Sequence, residues 1–313
     1  MNDETMSLHP GAARASRVRL WIRATRPLDI LTSLLPGLAG GAVAINSGRA
    51  TWWLLVPAMV ALAFLHAGVN ASNEVEDAAR GVDGPDKMRG SRVFNTGLLG
   101  TREGRFLYGS CFAAAFVLGI VICTVQGPAL LVIGVIGILG GLLYTAGPWP
   151  YKYVGLGEPA IVLLMGPLLT QGSYTAVTGD AFAAGPFWLG IGPGLLIACV
   201  LLANNIEDIH GDRAAGARTL AVQLGFPRAR RIYTVGLLAI IPTQLVLWLS
   251  GLFNAWILVP LLITPLLAAR IRTIATATAA EDPRLENMTA ATAQVHLLFC
   301  ALLALAVVLA RAL

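Results

Sequence analysis

Long apolar stretches, separated by short polar loops rich in arginine, fill nearly the whole chain. A helix crosses the hydrocarbon of a bilayer in roughly 20 residues, and stretches near that length run at about 28–46, 52–72, 106–125, 129–146, 159–177, 186–205, 232–250, 255–269 and 290–310. A helix satisfies its own backbone polar groups where lipid cannot. The pattern therefore predicts an all-α integral membrane protein, a bundle of nine transmembrane helices. Residues 1–25 read as a polar cytoplasmic segment and 26–313 as a single transmembrane domain. The first span is long for a signal-peptide core and has no clear cleavage site, so it reads as a retained helix.

Charge orients the bundle. Only 12% of the 313 residues are charged and 56% are hydrophobic, with mean hydropathy +0.72, whereas soluble domains carry roughly 25% charged residues. Nine spans put the termini on opposite sides. All but Arg49 and Arg311 of the 22 Lys and Arg fall on the N-terminal side, so the N-terminus is expected in the cytoplasm. Trp52, Trp53, Trp188, Trp248 and Trp256 fall near the opposite ends of their spans, where amphipathic rings favour the interface. The net charge of +5 is spread over loops at one membrane face. It points to anionic lipid and anionic substrates, not to nucleic acid. Cys111, Cys123, Cys199 and Cys300 lie in apolar spans without metal-ligand spacing and read as small buried residues.

Against this background two acidic clusters stand out at the ends of apolar helices. One is Asn73-Glu74-Val75-Glu76-Asp77, continuing to Asp83 and Asp86; the other is Asn204-Asn205-Ile206-Glu207-Asp208, continuing to Asp212. Both contain Asn-x-x-x-Asp, and residues four apart share a helix face. Ionisable side chains near membrane depth are costly and usually functional. Gly81 is expected to end the first helix, letting Asp83 curl back toward Asp77, so that Asp77, Asp83, Asp208 and Asp212 converge. Carboxylates so gathered repel unless neutralised, and Mg²⁺ is typically held by a few carboxylates plus phosphate oxygens of a substrate. Glu74, Glu76, Glu207 and Asp86 read equally well as a solvated face of helix ends.

Basic residues flank the clusters. Arg80, Lys87, Arg89 and Arg92 follow the first, Arg213 and Arg218 the second, and Lys152 stands in the loop Tyr144–Tyr153 on the same membrane face. They could clamp phosphate oxygens, whereas Arg89, Arg102, Arg105, Arg228, Arg230 and Arg231 read as topology signals. Within the spans, His66 and Asn70 share the helical face of the first cluster, His66 as an interhelical hydrogen-bond partner or a base. Gln171 and Tyr174 are placed to orient an acceptor or to quench a cation through a ring face, with packing as the alternative. His296 reads as structural, and no Walker-type phosphate loop is present.

These motifs resemble the UbiA superfamily of intramembrane prenyltransferases along most of the chain. Asn73-x3-Asp77-x3-Gly81-x-Asp83 is similar to the first Asp motif of the 1,4-dihydroxy-2-naphthoate polyprenyltransferase branch. Asn204-Asn205-x-x-Asp208-Ile209-x-Gly211-Asp212-Arg213, running on to Arg218-Thr219-Leu220-Ala221-Val222, resembles the second more closely. Tyr144-Thr145-Ala146-Gly147-Pro148, Gly155-Leu156-Gly157-Glu158 and Gly172-Ser173-Tyr174 resemble the middle of that branch, and Arg26-Pro27 its opening helix. Glu74 stands where the branch usually has Asp, and Glu207 where an Arg is common.

The resemblance implies nine helices around a central cavity with both Asp motifs at its cytoplasmic end. It implies Mg²⁺, two ions in this reading, held by Asp77, Asp83, Asp208 and Asp212 with Asn73 and Asn204. A prenyl diphosphate and an aromatic acceptor are the implied substrates. With the residues read above, the candidate substrate-binding set is Asn73, Arg92, Lys152, Asn204, Asn205, Arg213, Arg218 and Tyr144, together with Asn70, Gln171 and Tyr174 in the spans. Diphosphate departs as the allylic cation forms, and a dihydroxynaphthoate-like acceptor attacks C1. A terpene cyclase of the same superfamily would share the ionisation and use no acceptor. A secondary transporter would instead need paired interrupted helices and carboxylates near mid-bilayer.

Overall fold

The computed structural model describes residues 10–83 and 90–312, and every regular element among them is helical. Asp86, Lys87 and Arg89 lie outside those residues, as do the side chains of Arg14 and Arg311. The chain opens with α1 (Pro10–Ala24), α2 (Leu31–Asn46), α3 (Leu55–Ala79), α4 (Thr101–Gln126) and α5 (Ala129–Thr145). Next come α6 (Gly157–Leu164), α7 (Pro167–Thr178), α8 (Ala184–Leu189), α9 (Ile191–Glu207), α10 (Ile209–Ala214) and α11 (Leu220–Leu224). The last are α12 (Phe226–Leu238), α13 (Ile240–Leu249), α14 (Thr264–Thr276) and α15 (Met288–Ala312). Short 3-10 segments lie at Trp52–Leu54, Tyr151–Val154, Ala255–Ile263 and Pro283–Leu285.

Seven helical units among the described residues are long and apolar enough to cross a membrane: Trp52–Ala79, Thr101–Gln126, Gly157–Thr178, Ala184–Glu207, Phe226–Leu249, Ala255–Thr276 and Pro283–Ala310. Leu31–Asn46 and Ala129–Thr145 are apolar but shorter. This is a multi-pass membrane protein. Helices occupy all the stretches marked by the apolar pattern, and the boundaries differ instructively. The α3 helix continues past residue 72 to Ala79, so the first acidic cluster is helical, as the shared face of Asn73 and Asp77 requires. Apolarity marks what faces lipid or core; it says little about where a backbone that hydrogen-bonds to itself must stop. The N-terminal segment also contains a helix: α1 packs Leu20 and Trp21 on Val75, Val93 and Phe94, and Arg17 pairs with Glu103 at 2.8 Å.

Two spans are interrupted. Between α6 and α7 the chain bends at Gly166, because Pro167 lacks an N–H and its ring would clash with a carbonyl one turn back. Gly190 separates α8 from α9. The breaks lie against each other: a Cβ on Gly166 would stand 2.5 Å from the Gly190 carbonyl oxygen, and one on Gly194 2.3 Å from that of Val162. The Thr170 hydroxyl donates to the Pro186 carbonyl at 2.7 Å. Paired interruptions are what a transporter would show, yet these serve close backbone packing, and the acidic motifs sit at helix ends.

Packing is uneven. The C-terminal half, α9 with α12 to α15, forms one continuous core that includes Leu196, Leu202, Ile206, Tyr233, Leu237, Phe299 and Leu303. Within it the Tyr233 hydroxyl meets Thr292 Oγ1 at 2.7 Å. His296 Nε2 lies 3.0 Å from the Thr32 carbonyl oxygen, tying α15 to α2 in the structural role expected of it. Inside lipid there is little water to expel, so such contacts stabilise through close packing and satisfied polar groups. The helices of the other half leave space between them.

Candidate active site

Helices α2 to α7, α9 and the start of α15 enclose a cavity of about 600 Å³. Its wall is mainly apolar, with Leu62, Leu65, Phe116, Ile133, Leu168 and Ile197, and its far end is lined by Ala58, Ile122 and Ala176, which pack together. Asn73, Asp77, Asp83, Lys152 and Asn204 border the opposite end. From Ala58 to Asp77 the α3 helix rises about 28 Å at 1.5 Å per residue. The cavity is therefore long, greasy and polar at one mouth.

The α3 helix carries Asn73 and Asp77 one turn apart, then ends where Gly81 adopts a φ of 71°. The backbone N–H groups of Val82 and Asp83 turn back to the Asp77 carbonyl at 2.9 and 3.3 Å. This cap folds Asp83 to the cavity rim, as Gly81 led us to expect. Lys152 is buried in the Tyr151–Val154 turn. Its Nζ donates to Asp77 Oδ2 at 2.5 Å and to Asn73 Oδ1 at 2.9 Å. The Tyr153 hydroxyl donates to Asp77 Oδ1 at 2.6 Å. Burial first, and then the Asp77 charge, hold the Tyr153 phenol above its ordinary pKa, so it remains a donor. Burial alone pushes Tyr151 up to about 12, and its hydroxyl donates to the Gly140 carbonyl at 2.6 Å. Tyr144 borders the cavity with its ring 5.7 Å from the Lys152 ammonium.

The second motif is built differently. Asn204 reaches the cavity, while Asn205 points elsewhere and donates to Glu158 Oε1 at 2.8 Å. Asp208 follows the end of α9, and Asp212, buried on α10, accepts the Thr219 hydroxyl at 3.1 Å. The neighbouring Arg218 N–H donates to the Tyr153 carbonyl at 3.2 Å. One turn thus joins the two motifs, with its side chains on the first and its backbone on the loop behind the second. Arg213 and Arg218 have exposed side chains there. Arg92 sits in the left-handed region at a φ of 58° and does not border the cavity.

Several expectations change. The four aspartates do not gather at one point: among the described residues no group of three or more His, Cys, Asp or Glu could hold a single ion. The first motif has its charge met locally by Lys152, and the second has Asp212 fastened to Thr219. Gln171 and Tyr174 lie off the cavity, Gln171 bonded to Thr175 and the Ala183 N–H and Tyr174 to Asp180. A change of helical phase of about 100° or more separates them from cavity-facing neighbours Gly172 and Ser173. The glutamates are not a solvated face. Glu74 is buried and accepts from the Ser91 N–H at 2.6 Å and from the Ser91 hydroxyl. Glu76 takes Arg105 and Tyr108. Glu207 accepts from the N–H and hydroxyl of Thr289, at 3.1 and 2.5 Å, capping the first turn of α15.

Asn70 borders the cavity and donates to the Thr25 carbonyl at 3.0 Å. Sequence reasoning missed Arg26, Asp29 and Tyr153. Arg26 borders the cavity at a φ of 50° and pairs with Asp29 at 2.6 Å. Its signal was the break forced before Pro27, which disfavours helix at the preceding residue.

A multi-pass bundle with a long apolar cavity and two acidic motifs joined at its mouth defines a class of lipid-handling membrane enzyme. The chain belongs to the UbiA prenyltransferase family, whose pattern matches residues 33–290. It is 34% identical over 256 residues to 1,4-dihydroxy-2-naphthoate octaprenyltransferase of Mycobacterium tuberculosis, covering 79% of this chain and 82% of the relative. It is 30% identical to UbiA prenyltransferase domain-containing protein 1 of Dictyostelium discoideum, covering 92% and 87%. Among solved structures, a UbiA homolog from Archaeoglobus fulgidus bound to DMAPP and Mg²⁺ shares the fold, with TM-score 0.65 at 18% identity over 92% of this chain and 98% of that one.

Proposed function

We propose that this protein transfers an isoprenyl group from a prenyl diphosphate to an aromatic quinone precursor of the dihydroxynaphthoate type, within the membrane and with Mg²⁺. The observation that carries this reading is a hard-oxygen cation site at the mouth of a long apolar cavity. Asn73 and Asp77 already hold a cation, the Lys152 ammonium, and their oxygens are donors of the kind Mg²⁺ takes. The naphthoate octaprenyltransferase relatives support the acceptor, and the homologues bound to DMAPP or GPP with Mg²⁺ support the donor and the metal. In this reading nine helices of residues 26–313 cross the cell membrane, residues 1–25 are cytoplasmic, and the site opens to the cytoplasm.

Asn73, Asp77 and Asp83 on one side and Asn204, Asp208 and Asp212 on the other would hold two ions together with diphosphate oxygens. When bound, the metal supplies charge neutralisation for the departing diphosphate. Lys152 moves its hydrogen bonds from Asp77 and Asn73 to the phosphate, and the exposed Arg213 and Arg218 clamp the outer oxygens. Tyr144 and Asn70 shape the entrance, and the apolar wall keeps water from the allylic cation. The C1–O bond breaks, a C1–ring carbon bond forms, and the ring carbon releases its carboxyl group as carbon dioxide.

The test incubates purified protein in lipid with Mg²⁺ and prenyl diphosphates of several lengths, with and without dihydroxynaphthoate, and identifies products by mass. Prenylated, decarboxylated quinol that is abolished by chelator is expected. Cyclic hydrocarbon or terpene alcohol formed equally without acceptor overturns the reading.

A further inference from the structure

The cavity wall is not uniformly apolar. About three turns below the acidic mouth, Ser33 of α2, His66 of α3 and Ser173 of α7 border it together. His66 Nδ1 lies 2.5 Å from Ser33 Oγ. Ser173 approaches the same helix one turn on, since a Cβ placed on Gly37 would stand 3.2 Å from its Oγ. Among the described residues neither His66 Nε2 nor the Ser173 hydroxyl has a protein hydrogen-bond partner. Above the group, Asn70 is committed to the Thr25 carbonyl. Below it the lining is Ala58, Leu62, Ile122, Leu130 and Ala176.

An isoprenyl tail offers nothing to these groups, and polar side chains at such depth are retained where a ligand or partner satisfies them. We infer that Ser33, His66 and Ser173 form a subsite for a ring hydroxyl or carbonyl oxygen of the aromatic acceptor, deepening the function proposed above and resting on it. Ser33 fixes the imidazole and leaves Nε2 facing the cavity. A hydroxyl donates and accepts, so it pairs with Nε2 in either tautomer. From His66 to Asp77 the α3 helix rises about 16 Å, room for a metal-bound diphosphate and one bicyclic ring between them. The tail then follows the apolar remainder of the wall.

The decisive experiment measures equilibrium binding of dihydroxynaphthoate to the purified protein in lipid, alongside the KM for each substrate, in wild type, His66→Phe, His66→Gln and Ser33→Ala. His66→Phe should weaken acceptor binding and raise acceptor KM by about tenfold or more, with the prenyl diphosphate KM unchanged. His66→Gln should recover part of the loss, and Ser33→Ala should show a smaller one. Wild type should also discriminate against an acceptor with its ring hydroxyls methylated, and His66→Phe should not. A well-folded His66→Phe with unchanged acceptor binding and discrimination overturns the subsite, as does an equal rise in both KM values or a wild type that does not bind the ring. A wild type that binds the ring and never turns it over sinks the function and leaves the subsite standing.

Discussion

The two acidic motifs share the spacing Asn-x-x-x-Asp and differ in what surrounds them. The first presents Asn73, Asp77 and Asp83 to the cavity, and its charge is met by Lys152 and Tyr153 from a separate loop. In the second only Asn204 and Glu207 border the cavity, and Asn205, Glu207 and Asp212 are tied to Glu158, Thr289 and Thr219. One motif has its oxygens gathered round a cation; the other has its neighbours fastened to the scaffold. Identical spacing specifies a helix face, and the partners supplied by distant segments decide what that face does.

The largest effect should follow from breaking the first motif. Asp77→Asn keeps the shape and removes the charge that Lys152 and Tyr153 converge on. Turnover should fall by about 10²–10³ or more, as when an electrostatic contact to a leaving group is lost, and the melting temperature in lipid should fall as well, because the buried Lys152 ammonium loses its partner. Asp208→Asn and Asp212→Asn should lose comparable activity if both motifs serve one diphosphate. Full activity in either would confine the chemistry to the first.

Lys152→Met tests the cation rather than the carboxylate. Removing one member of a buried pair typically costs about 3–5 kcal/mol, because the other charge is left uncompensated. The variant should therefore be destabilised without metal and regain more stability from added Mg²⁺ than wild type does, measured by thermal denaturation with and without chelator. Equal Mg²⁺ responses in the two proteins would mean that Lys152 and the metal do not share Asp77.

The contrast between motifs also marks how far the sequence could be read. Apolar runs, Gly81 and the Asn73-x-x-x-Asp77 spacing are local signals, and they led to the helix, the cap and the rim position found. Lys152 stands out in sequence as a basic residue in a loop on the same membrane face, and its contact with Asp77 appears only in the fold. What stayed hidden depends on contacts between segments far apart in the chain. Nothing near Glu207 announces Thr289, 82 residues away, and nothing near Gln171 announces the Ala183 N–H that claims its side chain. The same holds for Glu74, whose extra methylene compared with Asp lets it reach Ser91 across the α3–α4 loop.

Glu207 gives the next test, since it stands where the resemblance led us to look for Arg. Its carboxylate is engaged at the N-terminus of α15, where a negative charge is favoured. Glu207→Ala should lower stability by about 0.5–2 kcal/mol, the range for a lost helix cap, and leave the acceptor KM within about twofold. A large change in acceptor KM with stability unchanged would place Glu207 on the substrate instead of on the helix.

The smallest effect concerns Tyr153, which carries the connection between the motifs. Its phenol is held above the ordinary value by burial and by Asp77, so the folded protein keeps that proton after the unfolded chain has lost it. The stabilisation is complete below about pH 10, the unperturbed phenol pKa, and is lost as the pH rises toward the folded value. Tyr153→Phe should remove about 1 kcal/mol, the net worth of one hydrogen bond, and flatten the alkaline decline in melting temperature relative to wild type. Because the Tyr153 carbonyl would still accept from Arg218, the backbone half of the link should survive, and turnover should fall far less than in Asp77→Asn. A loss as deep as that of Asp77→Asn would make the hydroxyl part of the chemistry rather than a support for the carboxylate.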